Sequence, residues 1–209
     1  MVPMMKKIIF PVVVLSLSGC ATSDLTYTPP VQKKVENNIL LEEDFDVVWN
    51  RLVKNLASDF FVINNIEKSS RIINVSFSTN NASQYVDCGT SVRNFSNARG
   101  KHTYEYNPAD SARYTFTNDN GHAFNAVRGS KLSGRTNIYL APTESGTELS
   151  VNTKYVVDIN VKYFNLNNQP AGSDQFSLDF STKTPYESVD AVKCFAIGNL
   201  EQKVIEYAM

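Results

Sequence analysis

Apolar positions recur along this chain in two rhythms. At helical spacing, Phe45, Val48, Trp49, Leu52, Val53 and Leu56 form one stripe. Asp44 stands where a cap would, and Glu42 and Glu43 suit the positive helix end. Alternation takes over at once: strands are predicted over Phe60 to Ile66 and Arg71 to Phe77, about a polar turn Glu67-Lys68-Ser69-Ser70. A third strand is expected over Gln84 to Cys88. From Gly89 to Gly134 the sequence turns polar, and an irregular region with one hairpin is expected there. Tyr104, Tyr106, Tyr114 and Phe116 keep period two inside it, and Asn118-Asp119-Asn120-Gly121 signals a turn. Two longer strands follow, Thr136 to Ala141 and Thr147 to Asp158, about the loop Pro142 to Gly146. After a loop at Asn165 to Gly172, Phe176 to Phe180 is predicted as a strand. A last helix is predicted from Asn199, with Asn199 and Gln202 as a capping box and Leu200, Val204, Ile205 and Ala208 on one side. The sum is an α+β chain: an antiparallel β-sheet with an N-terminal and a C-terminal helix on one face.

The start follows neither rhythm. Lys6 and Lys7 precede a continuous apolar run, Ile8 to Leu15, and then small residues Ser18 and Gly19 before Cys20. The run is too short to cross a bilayer, which takes about 20 apolar residues. Charge, apolar core and small residues stand in the order of a secretory signal peptide. Met4 or Met5 would open a more conventional leader than Met1-Val2-Pro3. Leu17-Ser18-Gly19-Cys20 resembles the lipobox of bacterial lipoproteins. That resemblance implies cleavage after residue 19 and a diacylglycerol thioether on Cys20, with an acylated amino group. Ala21, where an inner-membrane protein would carry Asp, resembles outer-membrane sorting. The expected location is therefore the outer membrane, lipid-anchored, on the periplasmic face rather than the cell surface. Two or three acyl chains make a stable anchor. Residues 20–40, with Pro29-Pro30 and a polar remainder, are expected to be a flexible tether of average reach about 25 Å. Residues 41–209 would form one periplasmic domain.

Composition adds two constraints. The chain's net charge of −1 includes two leader lysines, leaving −3 from Cys20 onward. That balance gives no reason to expect nucleic acid. With Cys20 lipidated, Cys88 and Cys194 remain, and in an oxidising periplasm they read as a disulfide. Two separate buried thiols are the alternative.

The segment Asp44-Phe45-Asp46-Val47-Val48-Trp49 and the strand pair after it resemble the helix-grip type domain of envelope lipoproteins. That group includes BamC, an accessory lipoprotein of the barrel-assembly machinery. The likeness spans 45–77, with a fainter echo over 136–158. The chain also resembles uncharacterised lipoproteins in which Cys88-Gly89 and Cys194 to Glu201 would be paired landmarks. The motifs of the helix-grip likeness are packing motifs, and neither resemblance carries catalytic residues.

Motifs for chemistry are scarce. His102 and His122 fit no zinc spacing and read as loop histidines. GxSxG is missing, and Gly129-Ser130-Lys131 lacks the Walker spacing. Neither a catalytic residue, a metal site nor a cofactor is expected. The middle region is basic, with Arg93, Arg99, Lys101, Arg113, Arg128, Lys131 and Arg135 among tyrosines. Arg93, Arg99, Tyr104, Tyr106, Arg113, Tyr114 and Arg128 are the candidate binding surface, for anionic headgroups, glycan or an acidic partner. A solvated set of strand charges is the plainer reading of the same residues. The expected function is a non-enzymatic accessory or scaffold protein with an envelope protein partner. A module binding lipid or another apolar ligand between helix and sheet is the alternative.

Overall fold

The computed structural model of the chain describes residues 21–188 and 192–209. The expected leader over 1–19 and Cys20 lie outside the described residues.

The strands are β1 (Thr22–Thr28), β2 (Asn38–Leu41), β3 (Val62–Glu67), β4 (Ile72–Thr79), β5 (Val86–Asp87), β6 (Thr90–Asn97), β7 (Gly100–Tyr106), β8 (Ala112–Thr117), β9 (Ala123–Thr143), β10 (Gly146–Asn165), β11 (Pro170–Ser181), β12 (Tyr186–Glu187) and β13 (Lys193–Ala196). The helices are α1 (Phe45–Ala57) and α2 (Asn199–Ala208). Two helices and antiparallel sheets make the α+β class that the sequence predicts.

The spine is the hairpin β9–β10, paired without a break from Gly146↔Thr143 to Asn165↔Phe124. It is much longer than the two strands expected. On β10 every second side chain from Thr147 to Val161 is buried, which is the period of a strand with one covered face. Each spine strand shares its outer edge between two partners. β8 pairs with β9 at Ala123–Arg128 and β4 pairs with it at Leu132–Tyr139. β2 takes the turn end of β10 and β11 takes the rest, while β3 continues outward from β4. Two smaller sheets complete the fold, β1-β6-β7 and β12-β13-β5.

The expected irregular stretch from Gly89 to Gly134 is corrected: it holds β6, β7, β8 and the first half of β9. Gly134 is a mid-strand residue whose missing side chain makes room for the Phe77 ring; a Cβ there would stand 2.0 Å from the ring. The expected flexible tether over 20–40 is likewise corrected. Residues 22–28 pair with β6 along their whole length, and 38–41 pair with β10. Tyr27 explains part of this: its hydroxyl sits 3.1 and 3.3 Å from the Cys88 and Lys193 carbonyls and accepts from the Lys193 amide at 2.8 Å.

Both helices cover the buried face of the spine. Val48, Trp49, Leu52 and Leu56 of α1 join Leu200, Val204, Ile205 and Ala208 of α2 in one core with the sheet. Arg51 Nε donates to the Ala208 carbonyl at 2.9 Å and Asn55 to the Tyr207 carbonyl at 2.9 Å, satisfying groups that a helix end leaves open. Glu201 is fully buried, and both its oxygens accept from the Tyr155 hydroxyl (2.9 and 3.0 Å) while Thr182 donates at 2.7 Å. The caps differ from expectation. Asp44 holds the N-cap position of α1 without a side-chain bond. The Asn199–Gln202 capping box is not formed: Gly198, at φ +88°, caps α2, and the Asn199 amide donates instead to the Gln84 carbonyl at 2.8 Å. Cys88 and Cys194 are joined by a disulfide, with Cα atoms 4.1 Å apart.

Candidate functional site

Antiparallel pairing sets Arg93 of β6 directly against Tyr104 of β7, so both project from one face of the small sheet. That face meets β8. The Arg93 guanidinium lies over the Tyr114 ring (4.7 Å) and the Phe116 ring (5.5 Å). Tyr106 and Tyr114 stack nearly parallel at 5.4 Å. Phe116 extends the cluster to Phe124 (5.9 Å) and Tyr163 (5.5 Å). Arg93 Nε is buried with no hydrogen-bond partner among the described residues. Burial raises the Tyr114 pKa, and burial with a 2.7 Å bond to Asp174 raises that of Tyr163 as well.

Arg128 stands apart in role. It is 8% exposed and donates to the Pro108 carbonyl and, at 3.3 Å, to the Asp110 carbonyl. Burial pushes its pKa down. Beside it the Ser130 amide donates to Ser111 Oγ at 3.0 Å. Arg128 therefore ties residues 108–111 onto β9 and is not open surface, which corrects the expectation for that residue. Arg99 also leaves the group: it lies in the β6–β7 turn, its amide on Asn97 Oδ1 at 2.8 Å.

Of the remaining residues, Tyr104, Arg113 and Tyr114 border a cleft of about 500 Å³ at the β8 edge, where they meet Asn125 and Phe164, whereas Arg93 and Tyr106 pack on the Tyr114 ring and do not line it. That size falls in the range of small-ligand sites. Tyr104 is held by a relay: its hydroxyl donates to Thr115 Oγ1 at 3.2 Å, which donates to Asn125 Oδ1 at 2.9 Å. Arg113 is exposed at the rim, and among the described residues neither it nor Arg93, Arg99 or Arg128 is in an ion pair. A free guanidinium fork beside aromatic faces suits a carboxylate or phosphate carried on an apolar or sugar-like body. Thr115, Asn125 and Phe164 were not singled out from the sequence. Phe164 follows Tyr163 at the end of β10, and only the strand's true length brings it here.

A second depression, about 630 Å³, lies on the open sheet face among Phe60, Ser76, Ser78, Lys131, Arg135 and Lys154. Lys154 there is bridged to Asp179 at 2.9 Å. His102 flanks Phe95 and Tyr104 (6.5 and 6.4 Å), whereas His122 ends the Asn118 turn. The described residues hold no group of three His, Cys, Asp or Glu placed to bind a metal. No described helix is long and apolar enough to cross a membrane. Comparison with protein-family models, with curated proteins and with solved structures gives no match.

Proposed function

We propose that this chain is a lipid-anchored protein of the bacterial envelope, acting as a non-enzymatic accessory or scaffold subunit. Cys20 would fix it to the outer membrane on the periplasmic side, and the β8-edge cleft would receive a partner. One observation carries the binding role: the interior under Trp49 is packed by Leu52, Leu56, Ile138, Leu149 and Val151, while the cleft beside Arg113 is open and its cation unpaired. A filled core with an open polar and aromatic rim favours surface recognition over a ligand held between helix and sheet. The Cys88–Cys194 bond supports an oxidising compartment. Two helices on an antiparallel sheet support a helix-grip relationship to envelope lipoproteins.

The test is site-specific photocrosslinking in intact cells. A photoreactive residue at Arg113 should capture one recurrent envelope protein, and the same residue at exposed Glu206 of α2 should not. Equal capture from both sites, or none from Arg113, refutes the assignment of the cleft.

A further inference from the structure

Only Ala21 separates Cys20 from the first residue of β1. Whatever its conformation, that link reaches about 7 Å, not the 25 Å of a free tether. The anchor must therefore emerge beside whatever surrounds Thr22. Thr22 pairs with Ser96, at the tip of the β6–β7 hairpin that closes at Asn97↔Gly100. Arg99 lies in that turn and Lys101 pairs with Ser96; both are exposed and unpaired among the described residues. The Thr117 amide donates to Ser23 Oγ at 2.8 Å, bringing the end of β8 to the same place. From there the register Phe116↔Phe124↔Asn165 leads to the β10–β11 turn, where Leu166 is 61% exposed. The carboxylates nearby are Asp119 on the β8–β9 turn, Asp24, which holds Asn94 at 3.0 Å, Glu105 opposite Val92, and Asp174, which accepts from the Tyr163 hydroxyl at 2.7 Å.

We infer that this end of the molecule docks on the bilayer itself, with Arg99 and Lys101 against the phosphates of anionic lipid headgroups. Leu166 is the apolar contact of the same end. The inference rests on the Cys20 anchor. It fixes an orientation: β9, 21 residues long, spans on the order of 65 Å, so the Glu144–Ser145 turn and the helices point away from the membrane. Each cation near an anionic surface shifts the docked-to-undocked ratio about fivefold, so the pair shifts it roughly thirtyfold.

The full chain, expressed with its leader in a lipoprotein-processing host, would be reconstituted into phosphatidylethanolamine–phosphatidylglycerol vesicles carrying a nitroxide headgroup lipid. A fluorophore is placed at Ala98→Cys or, at the far turn, at Ser145→Cys. Quenching several-fold stronger at 98 than at 145 is expected, and Arg99→Glu with Lys101→Glu should bring the two toward parity. Parity in the unaltered protein overturns the docking. Strong quenching at 98 that survives both charge reversal and replacement of the lipid by neutral phosphatidylcholine overturns the headgroup contact. Protein that fails to float with the vesicles refutes the anchor, and the docking with it, whereas floating protein with equal quenching refutes the docking alone.

Discussion

Reducing the Cys88–Cys194 bond should cost this fold more than any single side-chain contact. The bond spans a sequence separation of 106 residues, and the ring it closes contains β6 to β12, including the whole spine. Besides the bond, its ends are held by two β5–β13 residue pairs, Phe195↔Asp87 and Ala196↔Val86, and by the Tyr27 hydroxyl between Cys88 and Lys193. The chain-entropy model gives about 4.8 kcal/mol at 25 °C for a loop of this length. That is a large share of the 5–15 kcal/mol typical of a domain. At a urea slope of about 2–3 kcal/mol per M, the unfolding midpoint should fall by roughly 2 M. The assay is urea denaturation followed by Trp49 fluorescence, with the same protein oxidised and then reduced. Comparing one protein in two redox states avoids the packing changes that substitution of two fully buried cysteines would bring. A midpoint shift under about 0.5 M would refute the loop-closure argument. Thiols that react before reduction would refute the bond itself.

Two further outcomes follow from the helix–sheet contacts. Tyr155→Phe leaves the buried Glu201 with Thr182 as its remaining hydroxyl donor, and should destabilise the protein by roughly 2–4 kcal/mol in the same assay. Tyr155→Phe with Glu201→Met should cost less than the single change, because no carboxylate is then stranded; strictly additive losses would refute the coupling. Acid should loosen α2. Arg51 hydrogen bonds hold the Glu43 pKa below its usual range. Burial works to raise that of Asp59, but bonds from Lys203 and Tyr207 outweigh it and leave the pKa lowered. Both carboxyls bind fewer protons folded than unfolded, so their contribution is complete above an ordinary carboxyl pKa near 4 and is lost as pH falls through the lower folded values. Glu43→Gln with Asp59→Asn should flatten the fall in stability between about pH 5 and 3, and an unchanged slope would show that other groups drive it.

The parts of this fold that the sequence predicts are those whose buried faces are apolar. The stripe of α1 and the alternation Leu149, Val151, Tyr155, Val157 on β10 are visible because water-avoiding side chains mark the covered side. β9 is hidden because its covered side carries Arg128, Ser130, Gly134 and Thr136, each satisfied or accommodated by a partner distant in sequence. β1 is hidden for a different reason. Ser23 and Tyr27 are its half-buried positions, and its place depends on the ladder to β6 and on the Tyr27 hydroxyl at Cys88 and Lys193. The candidate site is legible as a composition, arginine among tyrosine, but not as a geometry. Whether an arginine of that set serves the cleft, clamps a loop or caps a hairpin depends on β8 packing against β6, which no local pattern encodes.

The proposed Cys20 anchor would have almost no slack, and the mass of the mature N-terminus tests it most directly. Protein extracted from membranes and digested should yield an N-terminal peptide that begins at Cys20 and carries a diacylglycerol thioether with an acylated amino group. A peptide that still contains Lys6 and Lys7, or one that shows Cys20 as a free thiol, would contradict the anchor and the orientation drawn from it.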